Sequence, residues 1–189
     1  MKKGFNPEEE QQIQELVVEI YNQNYDFYQL DLSDDDPVME RKAIRLLKET
    51  FQNILELMEI YYKGTVSEDT LHKQLNYLAL YFERFIHAEG DSIFESLGYF
   101  PLRDFLGDWY ITHVSWSSPA ATRTYIAAFN KLVAMLKAVD LISKTEMDSA
   151  KQVLQKNKEE WIDRVQRYHT DPYRYEEYRL EQPYSPKKG

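Results

Sequence analysis

Three times in this chain a short polar residue is followed by proline and then by apolar residues spaced three or four apart: Asn6-Pro7, Asp36-Pro37 and Ser118-Pro119. Proline fits the first position of a helix, where its missing N–H would have no partner anyway. The Asn, Asp or Ser before it can accept a hydrogen bond from the open first turn. Proline also pushes the preceding residue out of the helical region, so a helix that reaches such a pair must end there. With only 6 glycines and 7 prolines in 189 residues, little else interrupts the chain. Long helices with short connections are expected, and the fold class expected is all-α.

The first helix opens at Asn6-Pro7 with Glu8, Glu9 and Glu10 at the positive end of its dipole, and turns Ile13, Leu16, Val17 and Ile20 to one face as far as Phe27. After it, "QLDLSDDD" reads as a loop. The second helix runs from Pro37 to Lys63-Gly64 with Ile44, Leu47, Phe51, Ile54, Leu55 and Met58 inward. A third extends to Ala88-Glu89-Gly90 with Leu71, Leu75, Leu78, Phe82, Phe85 and Ile86 inward. A shorter fourth starts at Pro101, carries Phe105, Leu106, Trp109 and Val114, and must end before Pro119, with Ser117 or Ser118 capping the fifth. That fifth helix turns Ile126, Phe129, Val133, Leu136 and Val139 to one face. Ser143 and Glu146 have capping-box spacing and open a sixth helix through Met147, Ala150, Leu154, Trp161 and Val165. Asp171-Pro172 is expected to end regular structure, leaving a tyrosine-rich tail over 171–189. Its Tyr173, Tyr175, Tyr178 and Tyr184 are expected to pack back over the helices, with presentation to a partner as the alternative.

Several chemistries find no support in the sequence. There is no cysteine, hence no disulfide, thiolate metal site or cysteine nucleophile. Glu68 with His72, and Glu83 with His87, have the i, i+4 spacing of a shared metal. The pairs lie 15 residues apart, roughly 22 Å along a helix, so they cannot form one site. The Glu-x-x-His of di-iron bundles, Gly-x-Ser-x-Gly, a Gly-rich phosphate loop and His-Glu-x-x-His do not occur. Ser117 and Ser118 read as caps, and Trp109 and Trp116 as core anchors before base-stacking platforms. A non-enzymatic protein is expected, without cofactor, metal or small-molecule substrate. No stretch approaches about 20 apolar residues, and the amino terminus lacks the apolar segment of a signal peptide, so a cytoplasmic chain without membrane contact is expected.

The net charge of −9 divides unevenly, −11 over residues 1–100 and +2 over 101–189. Phosphate neutralisation by Lys and Arg supplies most nonspecific DNA affinity, so any nucleic-acid contact must come from the second half. The candidates are Arg123, Lys131 and Lys137 on the fifth helix, interspersed with Ala127, Ala128 and Ala134. A solvated basic face and a phosphate-binding line both remain open for these cations. The small residues Ala127 and Ala128 would let a second helix approach closely.

"VSEDTLHKQLNYLALYFERFIHAEG", "FPLRDFLGDWYI" and "SSPAATRTYIAAFNKLVAMLKAVDLIS" follow one another in an order that resembles the amino-terminal core-binding domain of tyrosine recombinases and phage integrases. "DFLGDWYITHVSWSSPAAT" is also similar to bacterial proteins that carry this domain alone. The resemblance implies a SAM-like four-helix domain over 64–170, preceded by an acidic helical hairpin over 1–63 that lies outside the family pattern. The function expected first is accessory contact with duplex DNA through the fifth helix, with the basic residues Arg123, Lys131 and Lys137 as its candidates. The family's catalytic element is missing: none of His72, His87, His113 or His169 is followed three residues later by arginine. The tail tyrosines are therefore not read as a cleavage nucleophile. The alternative is a protein-interaction or homo-oligomer-forming module in which another chain packs on Ala127 and Ala128.

Overall fold

The computed structural model describes residues 4–30, 36–86, 97 and 99–181, and no strand occurs among them. Helix α1 spans Pro7–Tyr28 and α2 Pro37–Tyr62; α3 spans Glu68–Leu80 and is prolonged by a π-helical turn, Tyr81–Ile86. A composite rod follows, α4 Tyr99–Asp104, a π-helical turn Phe105–Trp109 and α5 Tyr110–His113. Then come α6 Pro119–Ala138, α7 Lys144–Thr170 and α8 Pro172–Glu181. Most of the loop expected after α1, the third helix's end with His87, and Tyr184 lie outside the described residues.

The cap-and-proline pairs start helices as their chemistry requires. Asn6 accepts from the Glu9 N–H at 2.9 Å while Glu9 accepts from the Asn6 N–H at 3.1 Å, and Asp36 accepts from the Val38 N–H at 2.8 Å. Of the two serines before Pro119, Ser118 is the cap, its hydroxyl accepting from the Ala121 N–H at 3.1 Å. Asp171-Pro172 behaves the same way, which corrects the expectation that regular structure ends there. Asp171 accepts from the Arg174 N–H at 3.1 Å, and α8 follows. The fourth rod also begins two residues before Pro101, which occupies its first turn, where no N–H is needed. Val114 is an extended residue that closes α5 instead of continuing it.

The capping box of α7 carries a testable energy. Ser143 accepts from the Glu146 N–H at 3.1 Å, and Glu146 accepts from the Ser143 N–H at 2.7 Å. The Ser143 side chain first, and then its backbone N–H, stabilise the Glu146 carboxylate by hydrogen bonding and hold the carboxyl below its ordinary value. A depressed folded-state carboxyl stabilises above its unfolded pKa, and this contribution is lost as pH falls through the folded value. Ser143→Ala should therefore cost about 1 kcal/mol at neutral pH. Glu146→Ala should cost less at pH 3 than at pH 7, as urea unfolding at both pH values will measure.

One buried cluster runs from Leu16 to Tyr175 and takes in every long helix. Its centre is aromatic. A π-helical turn widens the helix, and over Tyr81–Ile86 this accompanies burial of Tyr81, Phe82, Phe85 and Ile86 together. Across the hairpin, the Asn53 amide donates to Gln23 at 3.1 Å. Phe51 of α2 stacks on Phe82 at 4.7 Å, and the Tyr62 hydroxyl donates to the Lys131 carbonyl at 2.9 Å. The boundary expected between residues 63 and 64 is therefore a turn at Gly64, with φ of 72°, and does not divide the core.

The tail packs back as expected for two of its tyrosines. Tyr175 is buried, with its ring 5.4 Å from Tyr168. Tyr178 lies beneath the guanidinium groups of Arg164 and Arg167, at 5.5 and 5.4 Å. Arg179 pairs with Asp108 at 3.3 Å, tying α8 to the second π turn, while Tyr173 is exposed.

Candidate interaction surface

The three cations expected on one line of α6 do not form one. At 100° per residue Lys131 and Lys137 stand about 120° apart around the helix, and each is engaged within the fold. The Lys131 ammonium donates to Gln74 of α3 at 2.8 Å and lies 5.6 Å from the centre of the Tyr62 ring, with burial lowering its pKa. Lys137 pairs with Asp140 at 2.7 Å. Asp140 holds a left-handed conformation, φ 58°. The bonds from the Leu141 N–H to the Leu136 carbonyl at 2.9 Å and from the Asp140 N–H to the Lys137 carbonyl at 3.2 Å close α6 in a Schellman motif. Lys137 thus fastens a helix terminus. Only Arg123 of the three is exposed with no ion-pair partner among the described residues.

The small residues of α6 divide as well. Ala127 is exposed, whereas Ala128 is fully buried in the chain's own core. That corrects the expectation that both meet a second chain: Ala128 offers no surface. Trp109 packs half-buried against Phe105 and His113, with ring centres at 5.7 and 4.9 Å. Trp116 is 47% exposed and leans on Tyr77 at 5.0 Å, so it is less an anchor than its position beside α5 suggested. The fully buried tryptophan is Trp161.

Two side-chain pairs have the residue types of chemistry but not its geometry. Ser117 is buried, donates to the Ile111 carbonyl at 3.3 Å and lies 3.2 Å from His169 Nε2. No carboxylate orients that imidazole among the described residues, so the pair lacks the third member of a nucleophile–base–orienter set. It latches the start of α6 to the end of α7. His72 approaches Glu59 of α2 at 4.0 Å. The described residues contain no group of three His, Cys, Asp or Glu side chains placed to hold a metal.

Among the described residues, the largest run of exposed apolar side chains lies on the outer face of α1. Val18, Tyr21, Tyr25 and Tyr28 are 59, 65, 58 and 51% exposed. Their spacing of three, four and three is that of alternating a and d positions in a heptad repeat. Val18 and Tyr25 point about 200° away from the buried Ile20 and Phe27 two positions on, so this stripe is separate from the one that builds the core. Helix α1 has six acidic residues and no basic one. Glu8, Glu15, Glu19 and Asp26 fall within about 40° of one another, forming an exposed ridge between the stripe and the buried face, with Glu15 about 60° from Val18. Gln11 donates to Glu15 at 2.8 Å and Gln23 to Glu19 at 3.3 Å. None of the four carboxylates has an ion-pair partner among the described residues.

The sequence reading followed only the inward residues of α1 and missed this face. The signal available was the second series of large residues, two positions out of phase with the first. Among the described residues, no helix is long and apolar enough to cross a membrane. No family model, curated protein or solved structure matches this chain.

Proposed function

We propose that the chain is a non-catalytic helical module that binds another protein through the outer face of α1. The observation that carries this reading is the exposed Val18–Tyr21–Tyr25–Tyr28 stripe. Contiguous exposed apolar residues with a polar border mark interaction sites on soluble proteins. Tyrosine suits such a face because its ring buries area while its hydroxyl stays hydrated.

Duplex-DNA contact through α6 is the second reading. The resemblance to recombinase core-binding domains and the exposed Arg123 favour it. Against it stand the internal engagements of Lys131 and Lys137 and the net charge of −9. Titration of a labelled duplex should show no saturable binding by the full chain at about 50 mM salt, where phosphate contacts are strong. Saturable binding weakened by Arg123→Ala, with a log–log salt slope near −0.9 per phosphate contact, would reverse the order of the two readings.

A further inference from the structure

We infer that the outer face of α1 takes a basic amphipathic helix from another protein, an inference that rests on the protein-docking reading above. The stripe presents two consecutive heptads, Val18 and Tyr21, then Tyr25 and Tyr28. Gln11 and Gln14 occupy the same positions one heptad earlier. A helix of about three heptads, roughly 30 Å long, would cover this face. Its apolar residues would lie on the stripe, while lysines or arginines on its flank would reach Glu15, at the position beside the stripe, with Glu19 and Asp26 further round adding to the negative field. Arginine could also lie over the tyrosine rings.

Charge chooses this occupant over the others. A second copy of α1 packed antiparallel would bring its acidic ridge beside the first, and packed parallel would set Glu10 opposite Glu15, and like charges flanking a helix pair oppose association. Anionic lipid surfaces and nucleic acid repel the same ridge, and α1 lacks the Lys and Arg that seat an interfacial helix on lipid. No cation of neighbouring α2 forms an ion pair with the ridge among the described residues: Arg45 pairs with its own Glu49 at 3.8 Å. Arg41, Lys42 and Lys48 form no ion pair with α1 among the described residues. The carboxylates are therefore available to a partner.

The test uses a fluorescein-labelled three-heptad peptide with leucine at a and d and lysine at e and g, titrated into the full chain by anisotropy. The full chain should bind it saturably. The triple variant Val18→Ser/Tyr21→Ser/Tyr25→Ser keeps every charge and should bind at least tenfold more weakly. Glu15→Gln/Glu19→Gln/Asp26→Asn should also weaken binding and flatten its salt dependence. A peptide with glutamate in place of lysine should not bind. Circular dichroism establishes that each variant is folded before its titration counts. Absence of binding by the folded full chain, or equal binding by the serine variant, overturns the inference. If the chain instead self-associates in sedimentation, and the serine variant abolishes this, the basic partner is overturned while the α1 docking reading survives.

Discussion

Phe105→Ala is expected to lower the free energy of unfolding by about 3–5 kcal/mol, the range for deleting a buried phenyl ring. Phe105 is fully buried, with its ring centre 4.8 Å from Tyr81, 5.3 Å from Phe85, 5.1 Å from Tyr125 and 5.7 Å from Trp109. These partners come from the end of α3, the composite rod and α6, so the cavity would open where three elements meet. Domains of this kind are stable by only about 5–15 kcal/mol, so the loss is a large part of the total. Urea denaturation will measure it, and Phe105→Leu should cost clearly less because it leaves a smaller void. A loss below about 1 kcal/mol for the alanine variant would mean that the site collapses or is not packed as described.

Alkali should unfold the protein cooperatively from about pH 10 upward, the ordinary range of tyrosine ionisation. Burial raises the pKa of Tyr62 to about 12, with a smaller contribution from the charge of Tyr61. Burial is also the first cause of the upward shifts at Tyr77, Tyr110, Tyr125 and Tyr175. In the unfolded chain these phenols lose their protons near pH 10, whereas in the folded chain they keep them. The folded state then binds more protons, and stability falls as pH rises from 10 toward the folded values. Tyr125 adds a sharper test because its buried hydroxyl has no hydrogen-bond partner among the described residues. Tyr125→Phe removes that unsatisfied group and one of the titrating phenols. It should leave stability at pH 7 unchanged or higher and shift the alkaline midpoint upward. Circular dichroism with absorbance at the phenolate band will follow both changes, and a downward shift would contradict the assignment.

What could be read from the sequence was local. Asn6, Asp36, Ser118 and Ser143 act within three residues of themselves, and each caps the helix that its spacing announced. The sequence does not announce α8, although Asp171-Pro172 repeats Asp36-Pro37, because the tyrosine-rich stretch after it shows no clear apolar stripe. The π turns left no trace in the spacing, since Tyr81, Phe82, Phe85 and Ile86 fit an α-helical face equally well. At the basic residues of α6 the decisive partners depend on tertiary structure. Gln74 meets Lys131 across two packed helices, and Asp140 meets Lys137 only once the chain turns left-handed. Ala127 and Ala128 are adjacent in sequence, yet only the packing of α6 decides that one is exposed and the other enclosed. Burial therefore decides the roles of residues whose types alone leave those roles open.

Hydrogen–deuterium exchange of the full chain, with and without the lysine-bearing peptide, tests the docking surface most directly. Exchange should slow over residues 14–28 and stay unchanged over 119–138. Slowing confined to 119–138, with α1 unaffected, would place the binding surface on α6 and contradict the account.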